Sequence, residues 1–229
     1  MTPGRKLVIV NADDLGASRG VNDGILEAVD AGIVTSASLM VNMPAARDAV
    51  VRLATRPSVS VGIHVNFTDE SRPTVLDFDD LATCEAELWR QVDRFLELTS
   101  VRPTHIDAHH NVHRDPRLTP IFTDAAQHLG VPLREHGPVE YFPSFYGRWN
   151  GETHPEHISV ENLLRMVEGF GPGPTELACH PGRPEPDFVS EYHAERPIEL
   201  ETLLSSRVRE GLEVHNVILT SYHEVGSWR

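Results

Sequence analysis

The sequence predicts an α/β protein, an irregular, TIM-barrel-like (β/α) barrel of about seven parallel strands. Three observations point there. Short apolar runs alternate with amphipathic helical stretches along the whole chain, the mark of successive β–α units. The leading runs are continuously apolar, which suits strands covered on both faces. The units number about seven, which favours a barrel over an open doubly wound sheet. At 229 residues the chain is expected to form one domain, 1–229.

The elements follow in order. "KLVIVNA" (6–12) is the first strand. "GVNDGILEAVDAG" has Val21, Ile25, Ala28 and Val29 at helical spacing, with Gly32 as its stop. "VTSASLMVN" is the second strand, and "PAARDAVVRLATR" a helix with Pro44 in its first turn. "SVSVGIHVNFT" is the third strand, followed by a loop over 69–80 and the amphipathic "AELWRQVDRFLEL". "PTHIDAH" gives a short fourth strand, "RLTPIFTDAAQHLG" a helix and "VPLRE" (131–135) a fifth strand. Residues 135–157 are rich in Gly, Pro and aromatics and read as a long ordered loop of the kind that often carries function. Alternation then resumes: helix over 160–170, strand over 175–181, one helix over 198–212 and a final strand over 214–222.

Composition excludes several classes. Hydrophobic residues are 40% and charged residues 24%, which fits a globular chain and not a disordered one. The net charge of −14 argues against nucleic acid as a partner and against anionic lipid. Two cysteines, Cys84 and Cys179, make no disulfide framework. Neither a signal-type leader nor an apolar run of membrane-spanning length is present, so a cytoplasmic location is expected. A homodimer is the default oligomer.

In either parallel architecture chemistry gathers beyond the carboxyl ends of the strands. Asp13 and Asp14 follow the first strand and His64 lies near the end of the third. "HIDAHHNVH" supplies His105, Asp107, His109, His110 and His113 after the fourth, and His180 follows the sixth. Taken alone, two acids after a strand are a solvated turn more often than ligands, and a lone His64 would suit a packed core. Together they converge on one rim, and adjacent carboxylates need a compensating charge. Two imidazoles and a carboxylate are a common ligand set for a catalytic divalent ion. His110 is expected to face away from His109 on extended backbone. His128, His136, His154, His157, His193, His215 and His223 carry no assigned role.

The ordered motifs "VNADDLG", "TSASLMVN", "GIHVNFT", "THIDAHHNVH", "VPLRE" and "ELACHPG" cover nearly the whole chain and resemble the YdjC-like carbohydrate deacetylases. The resemblance implies an irregular (β/α) barrel-like fold and removal of N-acetyl groups from an amino sugar or oligosaccharide. It implies a divalent metal held by Asp14, His64 and His109, with Asp13 as general base and His180 as general acid. Leu15 replaces the family's usual Phe, Asn111 stands where many members have His, and the segment after His64 is shorter than in typical chito-oligosaccharide deacetylases. Mg2+ or Zn2+ suits the ligand set, which also admits Mn2+ or Co2+. Arg134 either pairs with Asp13 as a further catalytic residue or makes a surface salt bridge. Tyr141, Phe145 and Trp149 either stack on sugar rings or pack the 135–157 loop. The rival readings are a metal-dependent phosphoesterase or other hydrolase, and a non-catalytic sugar-binding domain.

Overall fold

The computed structural model describes residues 5–68, 76–185 and 189–227; the predicted loop at 69–75 lies outside the described residues. Its elements are β1 (Lys6–Leu15), α1 (Arg19–Asp30), β2 (Ser36–Leu39), α2 (Ala46–Leu53), β3 (Ser60–Val65), α3 (Leu81–Thr99) and β4 (Ile106–Ala108). They continue with α4 (Thr119–Leu129), β5 (Glu140–Phe142), β6 (Arg148–Trp149), β7 (Glu152–Thr153), α5 (Val160–Gly169), β8 (Pro174–Cys179), α6 (Glu195–Leu204), α7 (Ser206–Val214) and β9 (Val217–Leu219). Single 3-10 turns cover His109–Arg114, Pro155–Ile158 and Tyr222–Ser227.

Seven strands form one sheet in the order β4-β3-β2-β1-β8-β5, with β9 added to β1. Every pairing in it is parallel, and the sheet curls into a half-barrel with helices outside. β9 and β2 share one edge of β1: Thr220 N donates to Val8 O, and further up Thr35 N donates to Val10 O. Alternate β1 residues divide the layers. Val8, Val10 and Ala12 join the main core, while Ile9 packs with Val139 and Tyr222.

Helix ends follow their sequence signals. Ser18, Asp80 and Ser159 cap α1, α3 and α5 by accepting from the N–H of Val21, Thr83 and Asn162. The Asp80 cap starts α3 five residues earlier than apolar spacing alone indicates.

Three expectations change. "VPLRE" is not a strand: only Leu133 makes a bridge, to Ile106. Pro132 has no N–H to give, and Glu135 turns the chain away at φ +66°. The strand beside β8 is instead β5, drawn from the predicted loop. That loop also holds the β6–β7 hairpin, turned by Asn150 and Gly151 at φ +54° and +78°, the left-handed pair a tight hairpin requires. The predicted single helix over 198–212 is two, because Ser205 leaves helical backbone (ψ 129°) between α6 and α7.

Candidate active site

Adjacent residues on a strand point to opposite faces, so Asp13 and Asp14 should not share a site. They do. The β1–β2 register slips between Ala12 and Leu15, and Asp14 takes φ +68°, a left-handed conformation Asp tolerates better than most residues. Both carboxylates then line one cleft of about 230 Å³ at the carboxyl ends of the strands.

β3 and β4 bring the imidazoles. His64 Nε2 lies 3.2 Å and His109 Nδ1 3.1 Å from Asp14 Oδ1. That buried oxygen makes no hydrogen bond despite the short distances. One atom from each of Asp14, His64 and His109 falls within 4.8 Å of the others. An orphaned carboxylate oxygen facing two ring nitrogens is a donor set that fits a divalent ion. Asp14 Oδ2 is engaged elsewhere, by Arg196 Nη2 at 2.6 Å. Burial opposes the Asp14 charge, but Arg196 and His109 hold its carboxyl well below the usual range.

A second acidic group, Asp13, His64 and Asp107, also lies close enough for an ion. Arg134 already serves it. The guanidinium forks onto Asp13, with Nη1 to Oδ2 and Nη2 to Oδ1 both 2.8 Å, and also reaches Asp107 Oδ2 at 2.7 Å. Its Nε donates to Glu176 Oε1 at 3.0 Å, and Tyr222 Oη donates to the other Glu176 oxygen at 2.7 Å. Arg134 is 3% exposed, so it is no surface salt bridge and pairs with Asp13. Burial raises the Asp13 pKa, and Arg134 more than offsets that, leaving it lowered.

β3 and β4 also place His64 opposite Asp107 in register, and His64 Nδ1 contacts Asp107 Oδ1 at 2.8 Å. A carboxylate behind an imidazole fixes its orientation and leaves Nε2 facing the site. Burial opposes protonation of His64, yet Asp107 and the other carboxylates raise it to about 10. Around this rim the carboxyls of Asp13, Asp14, Asp107 and Glu176 outnumber the guanidiniums of Arg134 and Arg196. Without a bound cation a ring proton is the remaining source of positive charge.

His180 follows β8, with Nε2 3.9 Å from Asp13 Oδ2. Behind it stands the buried Glu199, which accepts the His180 backbone N–H and the Tyr192 hydroxyl. Burial disfavours the charged ring, and Glu199 with Asp13 and Asp14 outweighs it, so the His180 pKa is raised.

The rest of "HIDAHHNVH" separates. His105 is fully buried, stacked on Tyr222 at 3.9 Å, and burial lowers it to about 4. A Cβ on Gly62 would fall 2.4 Å from its ring, so this glycine makes the space. His113 is buried against Phe122 and Glu135. Neither reaches the rim. His110 does not face away: the 3-10 turn and its own φ of +53° fold its ring onto His109, with centroids 3.9 Å apart, inside the cleft. Tyr141 and Phe145 line the cleft, although Phe145 is 1% exposed; Trp149 instead stacks on His154 at 3.6 Å in the hairpin. Tyr146, Tyr192, Arg196 and Glu199 are site residues that sequence reasoning missed. Asp107 was among the candidates without a role; its place on β4, two residues before His109, was the available signal.

The fold and site define a curled parallel sheet with an Asp-His-His cluster at its carboxyl rim that could hold a metal ion. The sequence profile described as YdjC-like protein matches residues 7–214, and the chain belongs to that family. It is 33% identical to a carbohydrate deacetylase of Geobacillus stearothermophilus, covering 94% of this chain and 96% of the relative. A Vibrio cholerae carbohydrate deacetylase is 32% identical, with 94% of each covered. Among solved structures, an Enterococcus faecalis protein with a proposed role in cellobiose-phosphate cleavage superposes with a TM-score of 0.83 at 26% identity, over 96% of this chain and 98% of that one. A Bacillus cereus polysaccharide deacetylase, at 14% identity and a TM-score of 0.59 over 96% and 93% of the two chains, shares the fold.

Proposed function

We propose that this chain is a divalent-metal-dependent carbohydrate deacetylase that hydrolyses the N-acetyl group of an acetylated amino sugar or oligosaccharide. The observation that carries the reading is the orphaned Asp14 Oδ1 between two imidazole nitrogens. The names of the curated relatives supply the substrate class.

Asp14, His64 and His109 would hold the ion, Mg2+ or Zn2+, with Mn2+ or Co2+ also admitted. When bound, it supplies Lewis acidity that activates water and polarises the acetyl carbonyl. The chain's residues divide the proton work. Asp13 stays ionised because Arg134 grips both its oxygens, and its Oδ2 faces the cleft to take the proton of the attacking water. Arg134 fixes that carboxylate in place. His180, protonated at Nε2, gives its proton to the amine nitrogen as the C–N bond breaks, releasing acetate and the free amino sugar. Tyr141 and Tyr146 line the cleft and give it aromatic surface where the sugar would lie.

The test is acetate release from N-acetylated mono- and oligosaccharides, with phosphorylated sugars alongside and metal analysis of the purified protein. Acetate release that stops with a chelator and returns with a divalent ion is expected. Phosphate release instead, or sugar binding without turnover, would overturn the reading. Asp13→Asn should keep its metal and lose turnover by about 10²–10⁴-fold, measured as steady-state kcat. His109→Ala should lose the metal itself.

A further inference from the structure

We propose that Glu199 is the positioning residue of His180: a buried carboxylate, anchored by Tyr192, that holds the ring with Nε2 toward the cleft. The inference rests on the acid role given to His180 above.

Glu199 lies on α6, fully buried, with both oxygens committed to the His180 side of the cleft. Oε2 accepts the His180 backbone N–H at 2.5 Å, and Oε1 accepts the Tyr192 hydroxyl. The same Oε1 stands 3.8 Å from His180 Nδ1, a ring nitrogen with no hydrogen bond of its own. A shift of about 1 Å would close that contact, and such bonds often tighten only when substrate is bound. With Nδ1 toward Glu199, Nε2 is the nitrogen left facing Asp13 and the cleft.

Tyr192 makes the carboxylate rigid. Its hydroxyl donates to Glu199 and accepts from Gly147 N–H at 2.9 Å, while its ring stacks on Tyr146 at 4.6 Å. The proton donor is therefore braced against the aromatic wall of the cleft. The charged and titratable groups facing His180 are Asp13 and Asp14 from β1, Glu199 and Arg196 from α6, and the phenols Tyr146 and Tyr192. Among these Glu199 acts most strongly to keep the ring protonated, against the cost of burial. During turnover His180 loses its Nε2 proton to the departing amine and is left neutral. Solvent then reprotonates the ring.

The experiment compares Glu199→Gln with the unmodified metal-loaded enzyme. Glutamine keeps the volume and removes the charge. We expect kcat to fall about tenfold or more with KM within about twofold, and the alkaline limb of the kcat–pH profile to move down by about one unit. The sign follows because a lower His180 pKa loses the acid form at lower pH. NMR titration of the His180 ring must show the same downward shift with metal content unchanged, and this readout needs no turnover. Glu199→Asp, which keeps the charge farther back, should shift less and covers a Gln variant that fails to fold. A His180 titration that does not move in either variant would overturn the proposal. Failure to release acetate from any sugar would overturn the functional reading and leave the titration to decide this one.

Discussion

Arg134 is the residue whose removal the site tolerates least. It holds Asp13, Asp107 and Glu176 together inside the half-barrel, at most 3% exposed. Arg134→Met leaves those carboxylates without their counter-charge and should cost about 3–5 kcal/mol in urea unfolding. The same change raises the Asp13 pKa, so the acid limb of activity should move to higher pH. His105 gives a second test. Its folded value of about 4 lies below the ordinary 6.5, so the unfolded chain binds the extra proton across that window. Stability is then full above about pH 6.5 and falls as pH drops toward 4. His105→Phe should remove this slope, read as a smaller loss of stability than the parent's over the same range. That Asp13, Asp14, His64, His109 and His180 would line one cleft was legible, because each stands at or just past the carboxyl end of a strand within a short motif. Arg196 and Glu199 were not. They reach the rim from a helix whose own sequence, "ERPIELETLL", carries no mark of the face it turns inward.

At the scale of elements, α1 explains how the His180 segment is held. Gly20 and Gly24, one turn apart, let the chain after β8 lie directly on the helix: a Cβ on Gly24 would fall 2.4 Å from Gly182 Cα, and one on Gly20 2.5 Å from Arg183 O. The neighbours are backbone and have no rotamer to change. Gly24→Ala should therefore destabilise by about 1–3 kcal/mol and lower kcat by displacing His180, measured by thermal unfolding and steady-state rates. The alternation of strands and helices was readable because apolar period and capping residues agree. The region after Arg134 was not, since β5 is three residues long and takes its strand geometry from pairing with β8. "WNGE" did carry a hairpin signal, the Asn-Gly pair at the β6–β7 turn. The break between α6 and α7 rests on Ser205 alone, and apolar spacing runs straight through it.

For the whole molecule, buried carboxyls outnumber guanidiniums around the cleft, so the divalent ion proposed above would add to its stability. A divalent ion at about a thousand times its Kd would add about 4 kcal/mol. Chelation should lower the unfolding temperature, and Asp14→Ala, lacking a ligand, should respond little to either chelator or ion in calorimetry. Among the described residues no helix is long and apolar enough to cross a membrane. The half-barrel itself was legible from unit count and order; the edge that β9 and β2 share on β1 was not, because it is set by register and not by composition. The late partners on both edges of β1, β8 on one and β9 on the other, order events during synthesis. β1 leaves the ribosome well before β8 and β9, which are encoded far downstream of it. Its apolar side chains and unpaired backbone edge must wait until β8 and β9 are made, so a nascent chain stalled before β8 should engage chaperones where the released product does not.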